Sequence, residues 1–158
     1  LAALSLPPVS RDTVPLYTDL GTLEVPITTS APLAQRYFDQ GMRLTYAFNH
    51  PEAIRSFQAA LAADSTCAMC WWGVAFALGP NINAPMDSAS GMAAWRASRE
   101  ATRLAPNATP REQDYIRAIR ARYSYPPAAP RAARTTTPMT TKAIPTARRV
   151  WRRRSPAR

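Results

Sequence analysis

The sequence predicts an all-α protein of stacked antiparallel helical hairpins, and three observations predict it. Apolar residues recur at helical spacing through most of residues 30–123. Prolines, Gly-Pro and capping residues cut that stretch into about five segments of helical length. The pattern of large and small side chains then repeats, with Tyr37, Gly41 and Leu44 matched 34 positions later by Trp71, Ala75 and Leu78. The chain of 158 residues therefore divides into an N-terminal arm over 1–29, a helical domain over 30–123 and a tail over 124–158.

The arm is rich in Pro, Thr and Val and lacks helical periodicity. Its Leu16, Tyr17, Leu20, Leu23, Val25 and Ile27 are too apolar for a purely solvated leader, and they predict an extended segment packed on the first hairpin. The opening LAALSLPP fits either the end of a signal-peptide apolar region or a plain unstructured start. Export follows only from the first, so the compartment stays open. No run reaches the roughly 18–20 apolar residues that span a bilayer.

A first helix is expected from Ser30 as N-cap, with Pro32 in its first turn. Tyr37, Gly41, Leu44 and Phe48 form one face, and Phe38, Met42 and Tyr46 form a second apolar face beside it. A helix with two apolar faces is packed on both, or packed on one and binding on the other. Asn49-His50-Pro51 ends it and opens a second helix, striped by Ala53, Ile54, Phe57, Ala60 and Leu61. His50 is expected to make a local hydrogen bond there. A third helix over about 66–78 turns Trp71, Val74, Ala75 and Leu78 inward and stops at Gly79-Pro80. After a long loop, a fourth helix runs over about 88–104 and stops at Pro106. The fifth opens at Thr109-Pro110-Arg111-Glu112, a capping-box spacing with Pro at the first helical position. Tyr115, Ile116, Ile119 and Tyr123 give it an apolar face.

The second helices repeat as well. Ala53, Phe57 and Ala60 are matched by Ala94, Ser98 and Ala101 at a shift of 41, so the second copy carries seven extra loop residues. Small residues let helices approach, and large ones fill the gap between hairpins. This pattern resembles the tetratricopeptide repeat. Tyr37, Gly41, Ala53, Phe57 and Ala60 fit in the first copy. Trp71, Ala75, Ala94, Ala101 and Pro106 fit in the second. Departures are Ser65 for Pro, Ser98 for the aromatic, and the longer loop. CAMCWWGVAFALGPNINAPMD and FDQG further resemble a bacterial, often exported subgroup. The resemblance implies a non-catalytic scaffold that binds a protein or peptide on the concave surface lined by the first helix of each hairpin. In this chain that surface would carry Gln35, Phe38, Met42, Met69, Trp72 and Phe76. Plain core packing is the competing reading of those six residues.

Cys67 and Cys70 admit several readings: a structural disulfide, packed thiols, a redox pair at a helix N-terminus, or a fragment of a metal site. Trp71 follows the second Cys, where a c-type haem site needs His. With His50 as the chain's one histidine, a four-ligand zinc site is incomplete. Asn81, Asn83 and Asp87 lack EF-hand spacing and read as turn residues. No constellation points to catalysis, and no cofactor or metal is expected.

The net charge of +10 belongs to one end. Residues 1–122 hold eleven arginines against all ten acids, whereas 123–158 hold eight arginines, one lysine and no acid. Three readings of that tail stand: disorder, a nucleic-acid or anionic-surface tail with Trp151 to stack, or a truncated or frameshifted continuation of the array. Its composition favours the first and third, and weighs against nucleic acid as the main partner. A fifth helix without a following partner would leave Tyr115 and Ile119 exposed and predicts self-association.

Overall fold

The computed structural model describes residues 14–83 and 85–123. The expectations for 1–13 and for the tail lie outside the described residues. The remainder is all-α, two antiparallel hairpins followed by a fifth helix: α1 (Pro32–Tyr46), α2 (His50–Ala63), α3 (Ala68–Ala77), α4 (Ser88–Leu104) and α5 (Pro110–Arg122). A 3₁₀ turn, Ala105–Asn107, joins the last two.

The helix starts follow local chemistry. Pro32 opens α1, but its N-cap is Ala31, which makes no side-chain cap; the expected Ser30 cap is not used. Cys67 caps α3, its Sγ accepting the Cys70 N–H, so this helix begins two residues later than the apolar pattern suggested. Asp87 accepts from the Ser90 N–H at the start of α4. Thr109 and Glu112 form the capping box of α5, with each side chain bonded to the other's backbone N–H. The expected hydrogen bond at His50 is missing: both ring nitrogens are buried without a partner, and the ring meets Phe48 edge-on.

The core is built where small residues admit large ones. Ala53, Ala60, Ala75, Ala94 and Ala101 are fully buried, as is Phe57, which lies between α1 and α3. Ser98, in the place matching Phe57, is also buried and turns its hydroxyl onto the Trp95 carbonyl. Leu44 is buried, Tyr37 and Leu78 are partly buried against the core, and Pro106 stands exposed in the 3₁₀ turn.

On α3, Val74 and Ala75 are fully buried and Trp71 is partly buried against the core, but Trp72, expected on the binding surface, is the more buried of the two tryptophans at 9% exposure. The reason is α5, whose first half covers the Trp72 side of α3 and whose Tyr115 carbonyl accepts the Trp72 indole N–H at 3.1 Å. The apolar face of α5 is covered for the most part, with Tyr115 left 44% exposed. Ile116 and Ile119 are buried, α5 packs on both α3 and α4, and Tyr123 is buried with its hydroxyl on the Ala75 carbonyl at 2.7 Å. Of the two α5 residues expected to be exposed, Ile119 is therefore covered and Tyr115 is not.

Candidate functional site

Residues 14–30 form neither helix nor strand; they run as an irregular arm, bent at 18–20, 28 and 30, from α1 to α5. Polar side chains of α1 hold this arm by its backbone. Gln40 accepts the Tyr17 N–H and donates to the Pro15 carbonyl. Asp39 accepts the Val25 N–H at 2.8 Å, and Gln35 both accepts the Ile27 N–H and donates to the Val25 carbonyl. Arg43 donates to the Leu23 carbonyl, and the Tyr37 hydroxyl donates to that of Val14. Such contacts satisfy backbone groups of an arm that belongs to no helix or sheet.

The far end of the arm is held by α5. Glu112 is 5% exposed, and its carboxylate accepts from Thr28 N–H and hydroxyl at 2.6 Å each. It also accepts from the Thr109 N–H and hydroxyl. Burial alone would raise the Glu112 pKa, but these hydrogen bonds outweigh it and hold the group below its usual value. Asp64 behaves alike: desolvation opposes its charge, while bonds from Thr29 and Thr66 lower its pKa.

The arm leaves open space on either side as it crosses. Ile27, Thr28, Thr29 and Ser30 border an open space of about 450 Å³ of mixed lining, with Asp64 and Thr66 beside Met69 and Leu104. Val25 and Pro26 border a second cleft, of about 360 Å³, with Phe38, Met42 and Tyr46 of α1, Met69 and Trp72 of α3, and Arg111 and Tyr115 of α5. Met69 and Glu112 contribute to both.

Four of the six candidate concave residues, Phe38, Met42, Met69 and Trp72, thus meet on this second cleft, as its nearly buried floor. Gln35 does not line it and is committed to the arm. Phe76 stacks behind Trp72, with ring centroids 4.8 Å apart. The rim was missed in the sequence. Tyr46 is 62% exposed and Tyr115 44% exposed, and Arg111 lies 5.8 Å from the Tyr115 ring centroid. The spacing of Tyr46 four residues after Met42 was the available signal for the first; nothing local marks Arg111.

The cysteines are joined in a Cys67–Cys70 disulfide that spans the first turn of α3, and both are buried. Neither sulfur therefore faces solvent. Among the described residues no group of three or more His, Cys, Asp or Glu could hold a metal ion, and no helix is long and apolar enough to cross a membrane. The carboxylates near the cleft are occupied in holding backbone, so the arrangement offers an apolar floor, aromatic edges and one cation. No family model matches the chain, and no curated protein or solved structure matches it.

Proposed function

We propose that the chain is a non-catalytic helical-repeat scaffold of the tetratricopeptide type, binding a segment of a protein or a peptide on its concave side. The observation that carries this reading is the cleft itself. Phe38, Met42, Met69 and Trp72 form an apolar floor below two exposed tyrosines. Methionine and aromatic side chains adapt to apolar partners at low entropic cost. Commitment of Asp39 and Glu112 to the arm supports a holding role over proton transfer.

The test is a titration of ¹³C-methyl-methionine protein with end-blocked peptides that carry a Leu-Phe centre. Binding in the cleft shifts the Met42 and Met69 methyl signals, and Tyr46→Ala or Tyr115→Ala weakens it. Both tyrosines are exposed, so these variants retain the core. Methyl signals unmoved by any peptide would refute the reading.

A further inference from the structure

We propose that the cleft selects acidic apolar segments: a large apolar side chain of a partner protein enters over Met42, Met69 and Trp72, and a side-chain carboxylate beside it pairs with Arg111. This rests on the cleft being a peptide site, and it adds the charge of the ligand.

The argument is the disposition of charge at the mouth. Arg111 is exposed at the rim and makes no ion pair among the described residues; the carboxylates there pair Arg55 with Glu52, Arg103 with Glu100 and Arg117 with Asp114. Among the described residues its guanidinium lies over the face of Tyr115. Glu112 adjoins it in sequence, but that carboxylate points into the arm, where both oxygens accept hydrogen bonds from Thr28 and Thr109. The ionised Glu112 also lines the cleft but is buried, so the exposed rim presents one cation, Arg111, and no exposed carboxylate. Neither rim phenol has a hydrogen-bond partner among the described residues, which leaves two further donors for an incoming carboxylate. A guanidinium already stacked on an aromatic face loses less freedom when it pairs than a free one. The floor supplies affinity, and the rim cation supplies discrimination against basic segments.

Three end-blocked peptides with the same Leu-Phe centre test this, flanked by Glu, by Gln or by Lys. Each is titrated against the full chain and its Arg111→Glu variant. The substitution lies in the first turn of α5, where a carboxylate suits the helix dipole, so the fold is kept. The basic tail attracts acidic peptides in both proteins alike. The decisive quantity is therefore the change in the Glu-to-Lys affinity ratio, which falls at least about fivefold in the variant if Arg111 is the partner. An unchanged ratio overturns the inference. If the three peptides bind equally and still shift the Met42 and Met69 methyls, the peptide-site reading stands and the acidic preference falls. If none binds, both fall.

Discussion

The Phe57 ring occupies the space into which a side chain on Gly41 would project. A Cβ built there lies 2.5 Å from Phe57 Cε1, and one on Gly73 lies 2.5 Å from Cδ1. One fully buried ring thus packs against glycines of two successive hairpins, and it sets the distance between α1, α2 and α3. Gly41→Ala and Gly73→Ala should each destabilise by about 1–3 kcal/mol, although alanine alone favours a helix by about 1 kcal/mol. Urea unfolding measures this. In a Phe57→Leu background the Gly41→Ala cost should shrink, because the clash is gone; a cost that is simply additive would refute the packing account.

Trp71 and Trp72 offer a second check. Trp72 is buried, stacked on Phe76 and hydrogen-bonded to α5, whereas Trp71 is half-buried. Trp72→Ala should cost about 3–5 kcal/mol, and Trp71→Ala less. In variants that keep only one of the two, acrylamide should quench Trp71 more strongly. The opposite order in both measurements would mean that α3 is rotated from the geometry described.

Phe48 sits at the end of α1 with φ of 61°, a left-handed conformation that glycine adopts freely and a phenylalanine does not. Its ring is 55% exposed and meets His50 edge-on. Phe48→Gly should therefore raise stability, by about 0.5–1 kcal/mol. A loss of stability in thermal unfolding would show that the ring contact outweighs the backbone relief.

What was legible in the sequence follows from how far each cause reaches along the chain. The capping box of Thr109 and Glu112 and the stops at Gly79-Pro80 act within a few residues, so the patterns that mark them are local. The small positions Gly41, Ala53 and Ala60 could be found because helix approach demands them at fixed spacing. The orientation of α3 could not. AMCWWGVAFA contains no charged, amide or hydroxyl side chain, so no face is marked for solvent, and nothing in it ranks Trp71 against Trp72 for burial. Its true orientation is set by α5, more than thirty residues away. The cleft was half legible for the same reason: Phe38 and Met42 share a helical face, but Arg111 and Tyr115 reach it only through tertiary packing. The role of Glu112 as a hold on Thr28 spans 84 residues, and nothing in either segment announces it.

That hold gives the last prediction. Glu112 accepts four hydrogen bonds, two from the arm at Thr28 and two from its own cap residue Thr109. A charged acceptor is the stronger one, and a neutral amide in its place can accept at only one atom. Glu112→Gln should lower stability by about 1–3 kcal/mol at neutral pH and loosen the arm, seen as faster amide exchange at Val25 and Ile27. The pH dependence has a definite sign. The folded pKa lies below the usual carboxylate value of 4.5, so the stabilisation is complete above that value. It is lost as pH falls through the lower folded value, where the carboxylate takes up its proton. The difference in stability between the natural chain and Glu112→Gln should therefore be constant from neutral pH down to about pH 5 and shrink below it. A difference that stays constant through the acid range would show that shape, not charge, makes Glu112 the anchor of the arm.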